Sequence, residues 1–118
     1  MATHNELGKK GEDIAVEYLT KQGHEIIARN FRYDKSEVDI ISRNANTIVF
    51  TEVKTRSTAK FGYPETAVGI KKKQKLQQAM DYYLAENNIK EEARFDIISI
   101  VINSNNTEVH HIEDAFYH

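Results

Sequence analysis

Residues 46–55 read NTIVFTEVKT, and this stretch limits the fold more than any other. Ile48, Val49, Phe50 and Val53 put apolar groups on both faces of an extended segment, as in a central strand covered above and below. Residues 94–102 (RFDIISIVI) repeat the pattern and give a second buried strand. Two such strands need helices to cover them. Leu7, Gly11, Ile14, Ala15, Tyr18 and Leu19 recur at three- and four-residue spacing, which predicts a helix over 5–22. Thr3 or Asn5 can cap its start, and Gly23 suits the left-handed stop. Leu76, Ala79, Met80, Tyr83 and Leu84 predict a second helix over 69–87. Strands are expected at 25–33 and 37–43, with a turn at Asn44, Ala45 and Asn46 before the central strand. Residues 57–68 read as loop, with Gly62 and Pro64 as breakers; a turn at 103–106 precedes an edge strand at 108–112.

The order is α-β-β-β-α-β-β. A hairpin meander followed by a helical crossover implies an α/β fold, a mixed sheet flanked by helices. The 118 residues form one expected domain, 1–118. With no cysteine, disulfides and thiolate metal sites are excluded. No apolar run approaches membrane-spanning length and the N-terminus shows no secretory signal, so a soluble cytoplasmic protein without membrane contact is the expectation.

Charge is distributed unevenly. The chain carries a net −2, yet residues 54–75 hold Lys54, Arg56, Lys60, Lys71, Lys72, Lys73 and Lys75 against Glu65 alone, a local +6. Such a segment is either a solvated helix terminus or a local footprint for an anionic partner. Counting back from Leu76 by three and four residues puts Lys73 and Lys72 on the core-facing stripe of the second helix. Snorkelling explains two such lysines. A phosphate site at the helix start explains them too.

Glu52 and Lys54 leave the same face of the central strand, beyond Ile48 and Phe50. In a simple hairpin register, positions summing to about 90 oppose one another, so Asp39 falls near Thr51 and within a residue of Glu52. Glu37 shares the parity of Asp39 and should project with it. Two adjacent carboxylates repel, and a divalent cation relieves that repulsion. Carboxylate oxygens with a backbone carbonyl and waters suit Mg²⁺ or Mn²⁺. The structural alternative is a salt bridge between Asp39 and Lys54, with Glu52 solvated. Glu12 sits at the edge of the first helix's apolar stripe, either facing the sheet as a third carboxylate or flanking it as an ordinary surface glutamate. His110 and His111 are adjacent on a strand and cannot chelate one ion together; His4, His24 and His118 have no partner spacing. No Ser-His-Asp arrangement, P-loop or G-x-G-x-x-G is present.

Asp39, then Glu52-Val53-Lys54 thirteen residues on, a preceding helix bearing Glu12 and a following basic helix resemble the PD-(D/E)xK nuclease superfamily. The chain is most similar to the YraN-like family of uncharacterised endonuclease-type proteins, itself related to Holliday-junction resolvases. The resemblance runs through Gly11-Glu12 with Ala15 and Leu19, Arg29-Asn30-Phe31-Arg32, Glu37-Val38-Asp39-Ile40-Ile41, Phe50-Thr51-Glu52-Val53-Lys54-Thr55-Arg56, Phe61-Gly62 with Pro64, and Lys72 to Arg94-Phe95-Asp96. It departs at Val38, where the superfamily's naming proline stands. The resemblance implies a restriction-endonuclease-like core and a Mg²⁺-dependent (or Mn²⁺-dependent) endonuclease acting on DNA, branched DNA included. Asp39, Glu52 and the Val53 carbonyl would hold the metal, with Glu12 on a metal-bound water or second ion. Lys54 would orient the attacking water. Arg56, Lys60, Lys71, Lys72, Lys73 and Lys75 would contact phosphates, with a homodimer or a protein partner completing the grip. The alternatives are a non-catalytic DNA-binding or scaffold module on the same fold, and a purely structural domain with a buried ion pair.

Overall fold

A computed structural model describes residues 4–57 and 69–117. Its elements are α1 (His4–Lys21), β1 (Glu25–Tyr33), β2 (Ser36–Asn44), β3 (Thr47–Arg56), α2 (Ile70–Glu86), β4 (Glu92–Ile102) and β5 (Thr107–Ile112). A 3₁₀ turn at Ala115–Tyr117 follows, which no periodicity announced. The strands form one sheet in the order β1-β2-β3-β4-β5. β1, β2 and β3 make an antiparallel meander, β3 and β4 run parallel with α2 as the crossover, and β5 returns antiparallel. The architecture is therefore α/β in the expected order, consistent with a restriction-endonuclease-like core. The expected loop lies outside the described residues beyond Ser57, and with it Lys60. No described helix is long and apolar enough to cross a membrane.

β3 and β4 are buried on both faces because each carries apolar side chains at successive positions. On one face Ile48, Phe50, Phe95 and Ile97 pack under Leu76, Met80 and Tyr83 of α2. On the other, Ile40, Ile98 and Ile100 pack under Ala15 and Leu19 of α1. α1 stops where expected: Gly23 takes φ 93, and the His24 amide closes back on the Leu19 carbonyl. The expected asparagine turn differs in detail. Asn44 pairs directly with Thr47, so the turn has two residues, Ala45 and Asn46, and Ala45 takes the positive φ of 54. The register moves by one residue as a result.

The α1-side core also buries a charge. Asp96 is fully buried and accepts from both Arg94 nitrogens at 2.8 and 2.9 Å, from the Asp114 amide at 3.0 Å, and pairs with His111 at 2.7 Å. Burial alone would push its pKa up; the His111, Arg94 and Asp114 contacts outweigh burial and hold it below the usual value. His111 also meets the Tyr18 hydroxyl at 3.2 Å, so this histidine ties α1 and β5 to β4.

α1 approaches β3 most closely at Gly11. A Cβ there would stand 1.9 Å from Thr55 Oγ1 and 2.8 Å from Thr55 Cβ. At Gly8 an added Cβ would meet nothing within 4 Å. Alanine is the better helix former by about 0.5–1 kcal/mol, but overpacking a tight contact costs roughly 1–3 kcal/mol. In thermal melts Gly8→Ala should therefore stabilise the protein and Gly11→Ala destabilise it. Equal shifts of the same sign would mean that the α1–β3 approach is not tight.

Candidate functional site

Regular pairing breaks at one level across three strands. The β2–β3 ladder runs from Asn44↔Thr47 to Ile40↔Thr51 and ends there. Between β1 and β2, the pairs Arg29↔Ile40 and Phe31↔Val38 bracket Asn30 and Asp39. Beyond the break, the Val53 amide donates to Asp39 Oδ2 at 2.7 Å, so a side chain has replaced a ladder acceptor. A strand residue's N–H and C=O point to the same neighbour. The Val53 carbonyl therefore also faces the gap beside Asp39. The one-residue change at the Ala45 turn brings Asp39 level with Glu52 rather than Thr51.

On the α1 side, Leu7, Gly8, Glu12, Asp39, Val53 and Thr55 line a cavity of about 230 Å³. Glu12 thus faces the sheet, not the solvent alone. Its Oε1 accepts from Arg29 Nη2 at 3.1 Å and from Asn30 Nδ2 at 3.1 Å. Asn30 reaches it from a strained position, φ 56 within β1. Asparagine tolerates that conformation better than most residues, and strand irregularities of this kind re-aim side chains. The sequence reading assigned Asn30 no role; an asparagine inside a strand, where it is depleted, was the available signal. Burial pushes the Asp39 carboxyl up to about 6, the Val53 amide opposes the rise, and the charges of Glu12, Glu52 and Glu37 add to it.

Glu52 projects to the other side, toward α2. Its cavity of about 390 Å³ is lined by Lys35, Ser36, Glu37, Glu52, Lys71, Lys72, Lys75 and Leu76. Lys72 Nζ donates to Glu52 Oε1 at 2.8 Å. Glu52 Oε2 is buried with no hydrogen-bond partner. Glu52 is therefore not simply solvated. Strand alternation sets the half-buried Lys54 and the exposed Arg56 on the Glu52 face.

The expected convergence is thus divided between two cavities. Asp39 and Glu12 share one; Glu52 and three of the lysines share the other. Glu37 lines the second cavity rather than standing with Asp39, because β2 breaks its alternation there: Val38 joins the α2-side core and Ile40 the α1-side core. Lys73 is also redirected. Its Nζ donates to the Phe116 carbonyl at 2.5 Å, and it lines a separate pocket with Gln74, Gln77 and Phe116. Lys71, Lys72 and Lys75 remain together.

Among the described residues no three carboxylate or imidazole side chains are grouped to hold an ion. Mg²⁺ does not need three, since it is bound through one or two carboxylates while keeping several waters. An ion at the β2–β3 gap would find the Asp39 carboxylate and the Val53 carbonyl, while the unpartnered Glu52 Oε2 lies on the α2 side and acts on Asp39 through its charge. This oxygen donor set suits a hard cation, and added positive charge would relieve the repulsion that Asp39 feels.

The family described as Uncharacterised protein family UPF0102 matches residues 11–100. A UPF0102 protein of Christiangramia forsetii is 51% identical over 118 residues, covering 100% of this chain and 99% of the relative. One from Bacteroides thetaiotaomicron is 44% identical over 117 residues, covering 99% and 97%. One from Caldicellulosiruptor saccharolyticus is 44% identical over 114 residues, covering 94% and 97%. The matched span takes in Glu12, Asn30, Asp39, Glu52 and the α2 lysines.

A carboxyl held at about 6 instead of 3.8 burdens the folded state once ionised, by at most about 3 kcal/mol. The folded protein binds this proton more tightly than the unfolded chain. The Asp39 contribution to stability is therefore most favourable below about pH 4, falls between about pH 4 and 6, and is flat above. Asp39→Asn, melted without divalent ions, should exceed wild type in stability at pH 7.5 and lose that advantage near pH 4. Added Mg²⁺ or Mn²⁺ should raise the wild-type melting temperature and leave the variant's unchanged. Melting curves that move in parallel across pH would contradict the assigned environment.

Proposed function

The chain belongs to the UPF0102 family, and on that premise we propose that it is a Mg²⁺-dependent endonuclease acting on branched or otherwise structured DNA. The observation that carries this reading is the break between β2 and β3, where the Val53 amide turns to the Asp39 carboxylate. A half-buried carboxylate held near 6 by its surroundings, with a second carboxylate nearby that keeps one oxygen unpartnered, is not an arrangement that stability favours.

Asp39, Glu52 and the Val53 carbonyl are the groups that would hold the ion, with Glu12 on a water or second ion. When bound there, such an ion would supply positive charge at the scissile phosphate and would make water at the site more acidic. Lys54, on the Glu52 face, orients that water and stabilises charge developing on the phosphate. Arg29 and Asn30 position Glu12. Lys72 has two roles: in the free protein it neutralises Glu52, and with substrate bound it moves to a phosphate and frees both carboxylate oxygens. Arg56, Lys71 and Lys75 fix the backbone without reading sequence. Basic surface this small suits a second copy of the chain, or a protein partner, on a substrate as large as a junction.

The second reading, a DNA-binding module without catalysis, draws on the Lys72–Glu52 and Arg29–Glu12 pairs, at 2.8 and 3.1 Å. Both carboxylates then serve as structural anchors. The two readings separate on end-labelled four-way junction, flap, single-strand and linear duplex DNA, incubated with Mg²⁺, Mn²⁺ or EDTA. The nuclease reading predicts metal-dependent cuts that fall at least about 100-fold in Asp39→Asn and Lys54→Ala. Salt-sensitive binding with no cuts under any ion would favour the binding module.

A further inference from the structure

The surface beside the Glu52 cavity carries an aromatic group that the proposed chemistry does not use. Tyr82 of α2 is 42% exposed. Its ring stacks on Tyr33, the last residue of β1, at a centroid distance of 4.4 Å and an interplanar angle of 29°. Beneath them Phe31 lies 6.5 Å from Tyr82 at 19° and meets Tyr83 edge-on at 5.0 Å. Tyr83 in turn contacts Phe50 in the core at 5.9 Å. The surface pair is thus seated on a rigid aromatic column rather than on a loop.

The chain beyond this pair carries lysines toward the cavity, although Asp34 follows Tyr33 directly and Glu37 lines the cavity with them. Lys35 and Ser36 follow Tyr33 by two and three residues and line the cavity that holds Glu52. On α2, Lys71, Lys75 and Tyr82 are spaced by four and seven residues, which places them on one helical face. Lys71 and Lys75 line the same cavity. The neighbouring Asp81 is turned aside, accepting from Gln77 Nε2 at 2.9 Å. From Lys71 to Tyr82 the helix rises about 16 Å, roughly five stacked nucleotides at 3.4 Å each.

We propose that Tyr33 and Tyr82 form a stacking platform for unpaired bases of single-stranded DNA, with Lys35, Lys71 and Lys75 carrying its phosphates toward Glu52. The inference rests on the nuclease reading and narrows its substrate to DNA with a single-stranded arm, such as a flap or fork. A sequence-tolerant single-strand site combines these two elements: aromatic faces that any base can stack on, and a cationic track for the backbone. A duplex offers no free base face, so the platform discriminates by strand state and not by sequence.

The test is fluorescence anisotropy with the full chain, using a labelled 12-nucleotide single strand, the same sequence as a duplex, and its RNA counterpart. Variants are Tyr82→Ala, Tyr82→Leu, Tyr82→Phe and Tyr33→Ala, each checked for an unchanged melting transition, beside Asp39→Asn. The platform predicts that Tyr82→Ala and Tyr82→Leu weaken single-strand DNA binding about tenfold or more. Tyr82→Phe should hold within about twofold, because the ring face and not the hydroxyl carries the contact. Duplex affinity should not change, and Asp39→Asn, assayed in parallel for cleavage, should lose its metal-dependent cuts. Tyr82→Leu keeps apolar packing without an aromatic face, so a loss there is not a folding effect. Single-strand affinity indifferent to both tyrosines, equal losses on strand and duplex, or Tyr82-dependent binding of RNA alone would overturn the proposal. Failure of each idea reads differently. Asp39-dependent cleavage with tyrosine-independent binding removes the platform and leaves the nuclease. Tyrosine-dependent binding with no cleavage under any ion does the reverse.

Discussion

The candidate site depends on the hydrogen bond from the Val53 amide to Asp39. A central strand has no spare donors: each amide belongs to one neighbour or the other. Here β2 parts from β3 after Ile40↔Thr51, and the Asp39 side chain satisfies the amide that the ladder leaves. This one substitution prevents a buried orphan donor. It also holds a half-buried carboxylate at the cavity wall and leaves the Val53 carbonyl facing the same gap. Further along β3, the ladder to β4 continues through Arg56↔Val101, so the gap opens on one side only and its floor stays rigid.

The two helices then supply different chemistry to the two sides of that gap. α1 comes close to β3 because Gly11 lets Thr55 approach where any Cβ would collide, and Glu12 is carried in with it. α2 is the crossover that makes β4 parallel to β3, and its first turns present Lys71, Lys72 and Lys75 to Glu52. The acidic and basic halves of the site therefore come from segments far apart in sequence. They stand on opposite faces of β3, because that strand is buried on both faces and needs both helices. Lys35 joins Lys71, Lys72 and Lys75 around the Glu52 cavity.

The fold was legible because its elements are locally consistent. Both helices, all five strands and the mixed topology follow from periodicity and from the apolar runs at 46–55 and 94–102. Errors arose where single residues override a pattern. The turn used Ala45 at positive φ, although asparagines flank it, and this moved the register by one. Asp39 breaks the alternation of β2, so parity wrongly grouped it with Glu37. Lys73 sits at a core-facing position, as counted, but it serves the Phe116 carbonyl of a 3₁₀ turn that has no sequence period of its own. Glu12 lay on a stripe boundary, and only the third dimension shows Arg29 and Asn30 holding it. The buried Asp96–His111 pair was invisible because its partners come from different strands and no spacing rule joins them.

The central claim is that the strand break forms an ion site from Asp39 and Glu52. Calorimetric titration of Mn²⁺ into the free protein tests it without relying on any activity. The account predicts one site per chain that is lost in Asp39→Asn, weakened in Glu52→Gln and strengthened in Lys72→Met, where the competing cation is gone. Mn²⁺ binding that is absent in wild type, or unchanged by both carboxylate substitutions, would contradict it.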